Sequence, residues 1–279
     1  MSETAPSPKK NSDLPARFAA GVIMIAVALV ATYASGWWFR ILAALAASVM
    51  VLEWSDMHRA PRIWAWLAVL GIAGALLGFG ERLFPAATNN PELIDPADLR
   101  GAWPGFAAVA AVAVVTGILS RRLSMGWGVL YIGIPAFALV LINWAWAELA
   151  LWLFLVVWAT DIFAYFAGRA IGGPKLAPRI SPNKTWAGLV GGVIGAAIVA
   201  WVAAHYMQLE EIFLYLGAPM GVLAQLGDLY ESSVKRRLGV KDTGTILPGH
   251  GGVLDRLDGL LPVVLATFAV LMLLSTGTL

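Results

Sequence analysis

Residues 126–144 read GWGVLYIGIPAFALVLINW, and two residues later 147–167 read AELALWLFLVVWATDIFAYFA. The first stretch has no charged side chain; the second has only Glu148 at its start and Asp161 near its end. About 20 apolar residues in a helix cross about 30 Å of hydrocarbon, so each stretch is long enough to span a bilayer. Lipid offers no partner to an exposed backbone group, which leaves the helix as the state for an isolated apolar run. Pro135 and the glycines of the first stretch are tolerable where neighbouring helices satisfy the freed backbone groups. Two such runs in tandem set the fold class: an all-α, polytopic integral membrane helical bundle.

The same ruler carried outward gives nine spans, at 18–35, 38–54, 63–79, 103–119, 126–144, 147–167, 187–207, 211–229 and 259–278. Composition agrees. Of 279 residues, 59% are hydrophobic with 29 glycines besides, and only 13% are charged. A soluble chain has about a quarter of its residues charged, and a disordered one has low hydrophobicity and high net charge, so both classes are excluded. The organisation expected is a short tail (1–17) followed by one transmembrane domain (18–279). Gly74-x-x-x-Gly78, Gly188-x-x-x-Gly192 and Gly191-x-x-x-Gly195 mark close helix packing.

Nine spans place the N-terminus and every segment after an even-numbered span on one face. Of 19 basic residues only Arg40, Arg82 and Arg100 fall on the other. The positive-inside rule makes the crowded face cytoplasmic. The first span, with Trp37 and Trp38 leading directly into the second, reads as a retained helix and not a cleaved leader. Most of the 13 tryptophans stand near span ends, as interfacial anchors do. The outer loop at 80–102 carries no visible chemistry. Cysteine is absent, which removes disulfides, thiolate nucleophiles and Cys-based zinc sites. A net charge of +2 gives no reason to invoke nucleic acid.

Chemistry gathers in two cytoplasmic segments, about 160–188 and 227–259. A solvated basic loop near anionic lipid explains the lysines and arginines but not the carboxylates between them. Asp161 lies within a span and Asp228 ends one, and an ionisable residue at that depth is a candidate for function. A local ion pair remains the alternative for Asp161. Asp228 and Glu231 are three apart, as are Asp255 and Asp258, so each pair shares a face if helical. Carboxylates at the ends of different spans, with Lys235, Arg236, Arg237, Lys241 and Arg256 among them, suit a metal–phosphate site. Carboxylate oxygens hold a hard cation such as Mg²⁺, whose other positions go to water and phosphate. Arg then forks onto phosphate and Lys acts as a point charge. The run Pro248-Gly249-His250-Gly251-Gly252 lets the backbone approach a ligand closely and aim N–H groups at an anion. Neither G-x-x-x-x-G-K-[ST] nor G-x-G-x-x-G occurs.

Ser232-x-x-Lys235-Arg236, Lys241-Asp242 and Pro248-Gly249-His250-Gly251-Gly252-x-x-Asp255-Arg256-x-Asp258 together resemble the signature of the phosphatidate cytidylyltransferases (CDP-diacylglycerol synthases). Asp161-x-x-Ala164-Tyr165-x-x-Gly168-Arg169 and Ser181-Pro182-Asn183-Lys184-Thr185-Trp186-Ala187-Gly188 are similar to the same family, which often has Lys where Asn183 stands and Glu where Ala187 stands. The resemblance is specific over about 160–260. It implies an enzyme that joins CTP to phosphatidic acid, releasing pyrophosphate, with one or two Mg²⁺ ions at Asp228 and Asp255. It further implies catalytic roles for Asp228, Lys235, Arg236, Lys241, Asp242, His250, Asp255, Arg256 and Asp258. Asp161, Arg169, Ser181, Lys184, Thr185, Ser232, Gly251 and Gly252 become the substrate-binding set. The expected partners are CTP, phosphatidic acid and membrane lipids, with room for a homodimer. The rivals are a CTP-dependent lipid kinase and an ion-coupled transporter. The latter predicts carboxylates near mid-membrane in several spans, where here they gather at span ends.

Overall fold

A computed structural model describes residues 14–78, 101–244, 246 and 251–276, with the side chains of the first helix described from residue 21. Its helices are α1 (Leu14–Ala34), α2 (Gly36–Met57), α3 (Arg62–Gly78), α4 (Trp103–Leu119), α5 (Leu123–Ala145) and α6 (Ala147–Ala170). A two-stranded antiparallel hairpin follows, β1 (Lys175–Ala177) and β2 (Ser181–Thr185). Then come α7 (Trp186–Tyr206), α8 (Ile212–Tyr215), α9 (Gly217–Arg237), α10 (Leu254–Leu257) and α11 (Leu260–Leu274).

Among the described residues the stretches read as spans fall on helix but for a few terminal positions, with that at 211–229 divided between α8 and α9; residues 79, 277 and 278 of those stretches lie outside the described residues. Helices α2, α5, α6 and α7 are long and apolar enough to cross a membrane, and α3, α4, α11 and residues 21–34 of α1 are shorter apolar helices. The chain is therefore an integral membrane protein built as an all-α bundle. Helix α5 continues through Pro135 and forms the centre, with Val129, Ile132, Phe137, Leu141 and Ile142 buried. Around it pack α2, α3, α4, α6 and α11.

Polar contacts between helix ends sort the bundle into two poles. At one, Asn143 Nδ2 at the end of α5 donates to Thr32 O of α1 at 3.1 Å. At the other, Trp54 Nε1 of α2 donates to Ser124 O at the start of α5 at 2.8 Å, and Arg122 Nη1 donates to His58 O at 2.8 Å. The ends of α6, α7 and α9 meet at this second pole, where both chemistry-bearing segments lie.

Candidate active site

Helix α6 changes character along its length. From Leu149 to Thr160 it is almost wholly buried, whereas from Asp161 to Arg169 it forms the wall of a cleft. Helix α7 lies along this second half because glycines remove the side chains between them. A Cβ on Gly192 would stand 2.9 Å from Thr160 O, and one on Gly188 3.0 Å from Ala164 O. The spacing from Gly188 to Gly195 thus does what the sequence predicts, whereas a Cβ on Gly74 or Gly78 would meet nothing within 4 Å, so that pair makes no close helix contact. The hairpin feeds directly into α7: Thr185 is its N-cap, accepting the Gly188 N–H at 3.0 Å. The run Ser181–Thr185 is therefore an edge of this hairpin, paired Ala177 to Ser181 and Lys175 to Thr185.

From that strand Lys184 reaches α9. Its Nζ lies 2.7 Å from Asp228 Oδ2 and donates to Gln225 Oε1 at 2.8 Å. Ser232 Oγ, one turn on, donates to Asp228 Oδ1 at 3.2 Å. Above this pair opens a polar cavity of about 550 Å³, lined by Asp161, Tyr165, Arg169, Asn183, Lys184, Thr185, Gln225 and Asp228 among others. Two carboxylates and two cations in one chamber can hold a metal–polyphosphate at one end and offset its charge at the other.

The signature run makes a second, tighter cluster beside it. Lys235 Nζ lies 2.6 Å from Glu231 Oε2 and 2.5 Å from Asp255 Oδ1. Asp255 Oδ2 accepts Gly252 N–H at 2.8 Å, Thr243 N–H at 2.9 Å and Thr243 Oγ1 at 3.0 Å. Burial alone would raise the Asp255 carboxyl, but the Lys235 ammonium and those two N–H groups outweigh it and hold the carboxyl below the usual range. Asp258 behaves oppositely. Burial, then the negative charges of Asp228 and Glu231, push it well above the usual carboxylate range, against the Gly259 N–H that it accepts.

Sequence reasoning missed the residue that holds this loop in place. Glu53, buried in α2, accepts Val253 N–H through Oε1 at 2.8 Å and Leu254 N–H through Oε2 at 2.8 Å, and Thr243 Oγ1 at 3.2 Å. It caps the first turn of α10. The available clue was a carboxylate inside an apolar span. Gly251 and Gly252 serve the same packing: φ at Gly251 is +81°, and a Cβ on Gly252 would meet the Glu53 carboxyl at 2.6 Å. The N–H that Gly252 aims at an anion is aimed at the protein's own Asp255.

Of the remaining predicted residues, Arg236 donates through Nε to Ile180 O at 3.2 Å and through Nη1 to Val240 O at 3.3 Å, tying α9 to the hairpin. Arg169 donates to Tyr165 Oη at 3.2 Å within the cavity wall. Lys241, Asp242 and Arg256 are exposed around the signature cluster, and Ser181 is half-buried on β2 without lining the cavity. His250 lies outside the described residues, as does most of the outer loop. Gln225 and Thr243 join the site without having been singled out, since neutral side chains carry no mark in a sequence, and Tyr165, a motif position given no role, lines the cavity.

Mg²⁺ asks for one or two carboxylates together with water and phosphate oxygens. Asp228 and Asp161, opening on one cavity, fit that donor set. Asp255 has both oxygens engaged by Lys235, Thr243 and Gly252. Among the described residues no three His, Cys, Asp or Glu side chains form a ready-made metal cage.

A membrane bundle with a carboxylate-and-lysine chamber at one pole has the groups that an enzyme for phosphate-bearing substrates would use. A sequence profile of the Cytidylyltransferase family matches residues 15–274, and the chain belongs to that family. It is 36% identical over 273 residues to the phosphatidate cytidylyltransferase of Brucella abortus biovar 1 (strain 9-941), covering 89% of this chain and 90% of that one. Shorter matches to proteins of the same name reach 39% over 166 residues in Haemophilus influenzae (57% of this chain, 53% of that one) and 46% over 124 residues in Bacillus subtilis (43% and 46%).

Proposed function

We infer that this chain is a membrane nucleotidyltransferase that joins CTP and phosphatidic acid into CDP-diacylglycerol and pyrophosphate. The observation that carries the reading is Lys184 bonded to Asp228 and Gln225 in the polar cavity: it brings the two motif segments of the family to one chamber. In the reaction a phosphatidate oxygen forms a bond to the α-phosphorus of CTP, and the bond from that phosphorus to the bridging oxygen of pyrophosphate breaks. The attacking oxygen is already ionised, so no general base is needed. Catalysis is positioning and charge stabilisation.

Lys184 and Arg169, in the cavity wall, offset the triphosphate. Arg256, Arg236 and Lys241, around the signature cluster, offset the lipid phosphate and the departing pyrophosphate. Asp228, with Asp161 beside it, would hold Mg²⁺, and Asp255 would join that set on release from Lys235, Thr243 and Gly252. The bound ion supplies Lewis-acid polarisation of phosphoryl oxygens. Otherwise Asp255, Glu231 and Glu53 act on the chain itself: they fix Lys235 and the 243–254 loop against α2 and α9. The pole with the cavity faces the cytoplasm of a bacterial cell, where CTP is available.

The test is product analysis with purified protein. Pyrophosphate released from CTP only when phosphatidate is present, with a CDP-linked lipid formed in equal amount, is the expected result. CDP together with a newly phosphorylated lipid identifies the kinase rival instead, and contradicts the reading.

A further inference from the structure

The polar cavity has a direction, set by the helices that wall it. Helix α9 runs toward the pole where the site lies. Its end, Arg237, lines a cleft there with Trp54, His58 and Ser124. Its start, Gly217, stands against Ala196 and Ala200, well along α7 from the hairpin. Gln225 and Asp228 both line the cavity. Gln225 is therefore the deeper of the two by nearly one turn, about 4.5 Å at a rise of 1.5 Å per residue.

The Gln225 amide is fixed at one end and unmatched at the other. The residue is only 5% exposed, and its Oε1 accepts Lys184 Nζ at 2.8 Å. An ammonium only donates, so the amide oxygen must face it and the NH₂ group takes the other side. Among the described residues no acceptor meets that NH₂ group. A buried donor without a partner is costly, and native structures supply an acceptor for nearly all of them. Lys184 also lies 2.7 Å from Asp228 Oδ2, so this donor is held at a set distance from the carboxylate proposed for the metal.

Depth and charge select the acceptor. Lys184 and Arg169 serve the phosphates, and the lining between the charged groups is small or apolar, with Ala164, Gly168, Gly188 and Leu189. A neutral amide below the phosphate level suits an uncharged oxygen. In phosphatidate the two ester carbonyls lie between the phosphate and the acyl chains. A lipid whose phosphate stands at Asp228 and whose chains run toward the bilayer centre brings an ester carbonyl to the level of Gln225. CTP enters from water, so its base lies on the opposite side of the phosphates.

We propose that Gln225 is a specificity-determining residue, donating through Nε2 to an ester carbonyl of phosphatidate, so that the enzyme favours acyl over alkyl lipids. The contact sets the depth of the lipid and hence the height of its phosphate against Asp228. An alkyl ether lipid has no carbonyl and leaves the amide unpaired, the loss by which a polar site rejects an analogue. The assignment rests on the phosphatidate reading above.

The test uses the full chain in detergent micelles with diacyl phosphatidate and its dialkyl ether analogue of equal chain length. In the wild type, kcat/KM for the diacyl lipid should exceed that for the dialkyl lipid about tenfold, the worth of one hydrogen bond. Gln225→Met, similar in shape, should bring the two lipids level while the preference for CTP over UTP stays as it was. Loss of a partner for Lys184 alone would slow both lipids alike and leave the ratio unmoved. A second readout needs no turnover. With an isotope label on one ester carbonyl at a time and no nucleotide present, the infrared carbonyl band of bound phosphatidate should lie lower on the wild type than on Gln225→Met.

Equal use of the two lipids by the wild type overturns the proposal, and this is read without any variant. So does a diacyl preference that survives in folded Gln225→Met, or a variant that alters the choice between CTP and UTP instead. A shifted carbonyl band without any CDP-lipid formed from CTP supports the ester contact and overturns the cytidylyl-transfer reading. CDP-lipid formation with neither ester preference nor band shift does the reverse.

Discussion

Asp228 and Asp255 have the same side chain and stand in the same motif region, yet the structure gives them different work. Asp228 is partly open to the cavity, whereas Asp255 is buried with every oxygen engaged. Asp255→Asn removes a buried charge partner of Lys235, and hydrogen bonds to charged groups are worth about 1.5–3 kcal/mol. Its unfolding temperature and its turnover should fall together, read by thermal unfolding in detergent beside the activity assay. The same carboxyl has a pH signature. Its value lies below that of the unfolded chain, so the stability it contributes is complete above the ordinary aspartate value and is lost as pH falls through the folded one. Unfolding temperature against pH should show that acid limb in the wild type and a shallower one in Asp255→Asn. Glu53→Gln keeps shape but replaces a charge that two backbone N–H groups and a hydroxyl donate to. It should destabilise the fold by about 1–3 kcal/mol. It should also lower turnover without any contact to substrate, and Glu53→Asp should recover neither fully. Unaltered stability and turnover in Glu53→Gln would remove its assigned role.

At the scale of elements, the site depends on how closely α7 lies against α6, because that contact sets Lys184 opposite Asp228. Gly192→Val places a side chain where a Cβ already lies 2.9 Å from the backbone oxygen of Thr160. Backbone cannot yield as a side-chain tip does, and overpacking typically costs about 1–3 kcal/mol. The expected result is a lowered unfolding temperature and a raised KM for CTP; Gly74→Val, whose Cβ meets nothing within 4 Å, should do neither. The helices were legible in the sequence because apolar runs bounded by charge have few other solutions in a membrane. The hairpin was not, since Lys175–Thr185 shows no alternation of apolar and polar side chains, and its pairing is fixed by the ends of α6 and α7. Helix α9 was read only to 229, because its second half is helical through buried ion pairs and not through hydrophobicity. The residues proposed for phosphate chemistry stood out by charge. Glu53 did not, since its partners lie 190 or more positions away in the chain.

For the whole molecule, the charge asymmetry and the two poles of helix-end contacts support one arrangement, with the cavity at the pole that carries the basic segments. The chain has no native cysteine, so single cysteines report topology directly. Introduced at Lys175 or Thr243, they should react with an impermeant reagent only after cells are permeabilised, and one at Asn90 should react in intact cells. Labelling at position 175 from outside would invert the proposed topology. The central claim is that the chamber where Lys184 meets Asp228 performs the transfer, and the most direct measurement is phosphatidate-dependent pyrophosphate release from CTP, titrated with Mg²⁺, for the wild type and Asp228→Asn. The Lys184–Asp228 pair has a carboxylate 36% exposed, and such pairs contribute about 0–1 kcal/mol to stability, so the variant should unfold at nearly the wild-type temperature. Its turnover should nevertheless fall by about 10²-fold or more, because charge stabilisation at a metal–phosphate centre is worth several kcal/mol. Near-normal turnover in folded Asp228→Asn, with an unchanged Mg²⁺ dependence, would contradict the account.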